Sequence, residues 1–266
     1  MCFHVKEKTL VLNGEQVDYI TFGKGKKPLV MIQGLSTRNL KGSGFSLAIA
    51  YRIFAKEYTV YWFDRRKNVC EGTTILDLAK DFAKCMDILN IKNADIFAVS
   101  QGGMIAQELA IERPDLVRKL VLAVTLCQNN ETVEKVINDW VQMAEQGQMK
   151  KLVYDMAEKL YSQAYLKRYK FFMPLLVVLQ KPKDVKRFVI LAKSCLTCDT
   201  AKRLKEIKQP VLVLGGKQDK IVGANACEKI AQLLKCEIFL YENLGHAVYE
   251  EAKDFNKKVL EFFVEK

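Results

Sequence analysis

Residues 94–113 read ADIFAVSQGGMIAQELAIER. An apolar, β-forming run, Ile96–Val99, ends at Ser100, and Gly102 and Gly103 follow at once. A helix-period segment then begins, with Met104, Ile105, Leu109 and Ile111 apolar. A serine on a strand-to-helix turn, with a small residue two before (Ala98) and two after (Gly102), has the form of a nucleophile elbow. Such a turn strains the serine backbone and needs neighbours without bulk, because strand and helix nearly touch. The serine oxygen is then exposed at the top of the sheet. The N–H of Gln101, at the helix start, faces the place where an oxyanion forms. The same letters also describe an ordinary βα turn. The chemical reading therefore depends on a base and an acid elsewhere.

A serine nucleophile needs a general base. The chain has 2 histidines. His4 precedes the first strand and reads as an incidental surface residue. His246 lies in Asn243-Leu-Gly-His-Ala, just after the last expected strand, and is the candidate base. A carboxylate must hold its tautomer. Asp219 is the acid in the loop Gly215-Gly-Lys-Gln-Asp219 that follows the strand Val211–Leu214. An aspartate there also suits a turn or an N-cap. A second oxyanion donor is expected from Met31-Ile-Gln33-Gly34-Leu35, where Gly34 lets the backbone turn and the Leu35 N–H faces substrate.

With these residues placed, the chain resembles the α/β-hydrolase superfamily, in its small, cap-bearing serine hydrolase and esterase branch. The resemblance rests on A98-V-S100-Q-G102-G103, G215-G-K-Q-D219, L244-G-H246, Q33-G34 and F63-D64-R65-R66, and it covers essentially the whole chain. It implies an eight-stranded core, a Ser–His–Asp triad and no metal or organic cofactor. Three positions depart from the family pattern. Gln33 stands where many relatives have histidine. Ala98 replaces the commoner first glycine. The Asp64 loop carries Arg65, Arg66 and Lys67 in place of glycines, and reads as a solvated turn or as positive charge at the pocket rim.

Serine at position 100, not aspartate, disfavours haloalkane dehalogenase and epoxide hydrolase chemistry and favours acyl transfer. The expected activity is cleavage of a carboxylic ester, thioester or lactone through an acyl-enzyme, with a small-molecule acyl substrate. Gln33, Arg38, Trp140, Phe171, Phe172 and Leu175 are the expected pocket residues. One alternative is a C–C bond hydrolase or lyase of the same fold, in which Arg38, Arg65 or Arg66 grips a substrate carboxylate. Another is a ligand-binding receptor with little turnover.

The elements that must position these groups follow from hydrophobic period. Thr9–Leu12 and Val17–Phe22, joined by Asn13-Gly14, read as a hairpin. Strands at Leu29–Ile32, Tyr58–Phe63, Ile96–Val99 and Leu120–Val124 then alternate with helices at Phe45–Ala55, Thr74–Leu89 and Gly103–Glu112. This succession argues for a doubly wound, mostly parallel α/β sheet. From 129 to 205 the alternation stops. Helical segments at Val133–Ala144, Leu152–Tyr161, Tyr165–Leu179 and Val185–Leu196 read as an inserted cap, with core at 1–128 and 206–266. Strands Val211–Leu214 and Glu237–Leu240 resume the sheet, with helices Ala224–Leu234 and Ala252–Phe263.

Composition agrees with one large α/β domain of 266 residues, half of them apolar. The formal net charge is +11, but Lys and Arg are mixed with Asp and Glu along most helices, and no nucleic-acid signature accompanies them. No nucleic-acid partner is expected, and no apolar run is long enough to span a membrane. The first residues, MCFHVKEK, lack the apolar stretch of a signal peptide, and 8 scattered cysteines read as reduced thiols, so a cytoplasmic protein is expected. Cys195 and Cys198 form a lone CxxC, read as two ordinary helix cysteines. Oligomeric state is not encoded in any of these patterns.

Overall fold

The computed structural model describes residues 4–169, 171 and 173–265, with only the backbone described for Met173, Leu176 and Val177. Eight strands form one sheet: β1 (Lys6–Leu12), β2 (Glu15–Phe22), β3 (Lys27–Ile32), β4 (Tyr58–Phe63), β5 (Ala94–Val99), β6 (Val117–Ala123), β7 (Val211–Gly216) and β8 (Glu237–Tyr241). Their order is β1-β2-β4-β3-β5-β6-β7-β8. β1 and β2 pair antiparallel through the Asn13-Gly14 turn, where both residues have positive φ. β2 pairs antiparallel with β4, and from β4 to β8 all pairs are parallel.

Parallel strands need a crossover each, and the crossovers cover both sheet faces. They include α1 (Gly44–Ala50), α2 (Ile75–Ile88), α3 (Gln101–Glu112) and α9 (Ala226–Leu234), with α10 (Val248–Glu251) and α11 (Phe255–Val264) closing the chain. The elbow strand is buried on both faces. Ile96 and Ala98 join one hydrophobic cluster and Phe97 and Val99 the other, as the two-residue period of a strand requires. Thr74 starts α2 through a capping box with Asp77.

Between β6 and β7 run α4 (Glu131–Glu145), α5 (Met149–Leu160), α6 (Gln163–Tyr169), α7 (Met173–Gln180) and α8 (Val185–Cys195). The single helix expected over 165–179 is therefore two. Pro174 has no N–H to give and is tolerated only in a first turn, so it sits at the start of a new helix. Other elements differ as well. The expected helix 45–55 ends at Ala50 and continues as a 3₁₀ turn, Arg52–Phe54. α3 begins at Gln101, immediately after the serine. The final helix is preceded by the short α10.

Candidate active site

Parallel strands bring their C-terminal ends to one edge, and the loops that leave there hold the groups of interest. Ser100 follows β5, Asp219 follows β7, His246 follows β8, Gln33–Leu35 follow β3, and Asp64–Arg66 follow β4.

Ser100 has φ 55° and ψ −121°, in the left-handed half of conformational space that a side chain disfavours. The strain is held by neighbours. Ser100 N donates to Ala123 O at 2.9 Å, and Ser100 O accepts from Gly103 N at 2.8 Å and from Thr125 Oγ1 at 2.8 Å. Gly102 is required here: a Cβ on it would lie 2.1 Å from Ile32 O, so α3 could not pack on the end of β3. The β3 loop lies over the serine. A Cβ on Gly34 would be 3.1 Å from Ser100 Cβ and 3.7 Å from its Oγ. Among the described hydrogen bonds, neither the Leu35 N–H nor the Gln101 N–H has an acceptor.

His246 and Asp219 are both buried. His246 Nδ1 is 2.8 Å from Asp219 Oδ2. A carboxylate only accepts, so Nδ1 donates in this bond, and in the neutral imidazole that leaves Nε2 as the acceptor. Asp219 Oδ1 accepts from Ile221 N at 2.8 Å and Val222 N at 3.0 Å. One oxygen of Asp219 thus holds its own loop and the other faces His246. Gln218 N donates to Leu244 O at 3.0 Å and Lys217 N to Tyr241 O at 3.0 Å, which bind the aspartate loop to the histidine loop. Ala247 N donates to Leu160 O at 2.9 Å, and Ser162 N to Glu251 Oε1 at 2.9 Å, so the histidine loop is also tied to the α5–α6 corner. Among the described residues, Ser100 Oγ and His246 are not hydrogen-bonded to each other, and neither Ser100 Oγ nor His246 Nε2 is a sealed, unpartnered polar atom.

The Asp64 loop corrects an expectation. It is not a solvated turn: Asp64 and Arg65 are buried. Arg65 Nη2 donates to Gln33 O at 2.5 Å and to Gln101 Oε1 at 2.8 Å. Burial lowers its guanidinium to about 10, opposed by the Asp64 charge. Gln101 in turn donates through Nε2 to Leu191 O at 2.7 Å and Ser194 Oγ at 3.1 Å, both on α8. Arg187, also on α8, reaches Asp64 Oδ1 at 3.0 Å and Arg65 O at 3.1 Å. Arg66 pairs with Asp81 at 2.6 Å. One network therefore joins the β3 loop, the elbow and the helical insertion. Sequence reading assigns Gln101 only a backbone role and passes over Arg187, because no local pattern marks a side chain whose partners lie 90 residues away, as for Gln101, or 123, as for Arg187.

A cavity of about 340 Å³ opens beside the β3 loop. Gln33, Leu35 and Arg38 line it, as does Gln180 at the end of α7; Tyr51, Trp62, Phe97 and Tyr249 give it aromatic walls. Of the expected pocket residues, Gln33 and Arg38 line this cavity. Trp140 does not: it is buried in the insertion, where its Nε1 donates to Asp155 Oδ2 at 2.7 Å and joins α4 to α5. Phe171 and Leu175 are exposed and outside the cavity lining, and Phe172 lies outside the described residues. Of the three arginines considered for gripping a carboxylate, Arg65 and Arg66 are bound to protein groups and Arg38 alone lines the cavity.

The CxxC pair is two free thiols, Cys195 and Cys198, both buried, with Cys198 beyond the end of α8. Among the described residues, no three His, Cys, Asp or Glu side chains are grouped to hold a metal ion, and no helix is long and apolar enough to cross a membrane.

The family model for the alpha/beta hydrolase fold matches residues 27–253. A 3-oxoadipate enol-lactonase of Acinetobacter baylyi is 24% identical over 86% of this chain and 86% of its own. A 2-hydroxy-6-oxononadienedioate/2-hydroxy-6-oxononatrienedioate hydrolase of Paraburkholderia xenovorans is 24% identical over 93% of this chain and 90% of its own. Among solved structures, MGS-M2, an alpha/beta hydrolase enzyme from a deep-sea metagenome library, superposes with a TM-score of 0.88 at 21% identity, covering 97% of this chain and 98% of its own. The enol-lactonase of Burkholderia xenovorans does so with a TM-score of 0.86 at 20% identity, covering 97% of this chain and 100% of its own.

Proposed function

The chain belongs to the alpha/beta hydrolase fold family, and on that footing we propose that it is a serine hydrolase of carboxylic esters, thioesters or lactones. The observation that carries the reading is the Asp219–His246 pair, buried at 2.8 Å on the same sheet edge as a serine held at positive φ. Ser100 Oγ attacks the acyl carbonyl as His246 Nε2 takes its proton. Asp219 holds the tautomer and stabilises the imidazolium. The free N–H groups of Leu35 and Gln101 receive the oxyanion; losing one such donor in a known hydrolase costs about 10²–10³ in rate. His246 then protonates the leaving group, and water, activated by the same histidine, releases the acid. The insertion acts as a cap over this edge, and the aromatic cavity takes one arm of the substrate.

The test is labelling with a fluorophosphonate and mass mapping of the product. Ser100 is expected to carry the label, and Ser100→Ala to lose it. Label on another residue, or unchanged labelling of the variant, overturns the mechanism. A second reading, C–C bond hydrolysis of an anionic substrate, draws on Arg38 in the cavity wall. Turnover of an anionic vinylogous diketone, with no turnover of simple esters, would replace the first reading with the second.

A further inference from the structure

Three apolar residues of α7 face outward. Leu175, Val178 and Leu179 fall at the i, i+3, i+4 spacing of one helix face, and they are 57%, 67% and 50% exposed. Phe171, a turn earlier, is 89% exposed. Phe45, on α1 between the cavity-lining Ser43 and Leu47, is 69% exposed. The two patches belong to one rim: Ser43 and Leu47 from the α1 side and Gln180 from α7 line the same cavity, and Thr37 Oγ1 reaches Gln180 Oε1 at 3.5 Å.

The segment that carries α7 has charge of one sign, while Glu250 in the cavity wall accepts from the Tyr161 hydroxyl. From Gln163 to Lys183 the sequence contains five Lys or Arg and no Asp or Glu. Lys167 and Arg168 before α7, and Lys181 and Lys183 after it, are exposed. Three tyrosines precede the helix as a stack, Tyr161 to Tyr165 at 4.6 Å and Tyr165 to Tyr169 at 4.4 Å. An apolar helix face bracketed by cations and aromatic rings matches the layers of an anionic lipid surface: acyl chains inside, phosphates above them. A second copy of the chain fits less well, because it would bring two acid-free basic segments together.

We propose that the face formed by α7 and Phe45 docks on an anionic phospholipid surface, and that the cavity draws its acyl substrate from it. The docking stands on exposure and charge alone; only the identity of the substrate rests on the serine hydrolase reading.

Flotation with vesicles tests the docking directly. The protein is expected to float with phosphatidylcholine–phosphatidylglycerol vesicles, to float little with phosphatidylcholine alone, and to be released by salt. Val178→Glu with Leu179→Glu, and separately Lys181→Glu with Lys183→Glu, should each lower partition at least about tenfold. Leu233→Glu, at an exposed apolar position on α9, should leave it unchanged. Absence of flotation on the anionic vesicles, or flotation indifferent to the α7 variants, overturns the proposal. So does a dimer in sedimentation that Val178→Glu with Leu179→Glu dissolves. Ser100→Ala should float as the parent does, which separates failure of docking from failure of the hydrolase reading. Val178→Glu with Leu179→Glu should lower turnover of a vesicle-borne acyl ester while keeping that of a short soluble ester; equal loss on both overturns the substrate assignment.

Discussion

Asp219 divides its two oxygens between its own loop and His246. Oδ1 accepts two backbone N–H groups and fixes the loop, and Oδ2 faces His246. Asp219→Asn keeps the shape but offers His246 a donor in place of an acceptor, so the wrong imidazole tautomer is favoured. On the proposed mechanism, kcat should fall by about 10⁴ with little change in unfolding free energy, as read by steady-state kinetics beside a urea titration. Arg65 makes a different kind of prediction. It holds Gln33 O on the β3 loop and Gln101 Oε1 on the elbow with one nitrogen. Arg65→Met leaves both oxygens buried and unpaired, at about 1–3 kcal/mol each. Denaturation should show the loss in stability, and on the proposed mechanism kcat should fall, because the two loops would carry the oxyanion donors.

The elements are held to each other at a few places of very small tolerance. Gly102 is one. An added Cβ meets the backbone oxygens of Ile32 and Gln33, which cannot turn aside as a side chain could. Gly102→Ala should therefore destabilise by about 1–3 kcal/mol or more, read as a lowered urea midpoint with an unchanged slope. The start of α2 offers a test with a sign. Hydrogen bonds from the Thr74 hydroxyl and amide hold the Asp77 carboxyl below its usual range. A depressed carboxyl contributes stability above its unfolded pKa of about 4, and that contribution is lost as pH falls through the folded value. Thr74→Ala should thus cost about 1 kcal/mol at neutral pH and distinctly less in acid well below the unfolded pKa. An equal cost at both would show that the cap works without the carboxylate.

At the scale of the whole molecule, burial sorts the thiols. Cys70 is exposed, whereas Cys85, Cys195 and Cys227 are buried and pushed up to about 12 by desolvation. At mildly alkaline pH only about 10⁻⁴ of such a thiol is thiolate. A disulfide reagent should therefore modify Cys70 rapidly in the folded protein and reach these three only on unfolding, as mass mapping would record. Rapid modification of Cys195 without unfolding would contradict the packing of α8 on the elbow.

Much of this molecule is local information. The two-residue period of the strands, the 3.6-residue period of the helices and the turn residues between them place eight strands and the helical stretch within a few residues of their observed bounds. Ser100, Asp219 and His246 are legible for the same reason: each stands at the end of a strand pattern, and parallel strands deliver their ends to one edge. What local pattern does not carry is the direction of a long side chain. Arg65 and Trp140 read as a solvated turn residue and a pocket wall, yet both point inward, because Gln33 O with Gln101 and Asp155 are there to receive them. The cavity walls, Tyr51, Trp62, Phe97 and Tyr249, come from four separate parts of the chain. Their meeting is a property of sheet order and of close packing between faces, and those exist only in the tertiary structure.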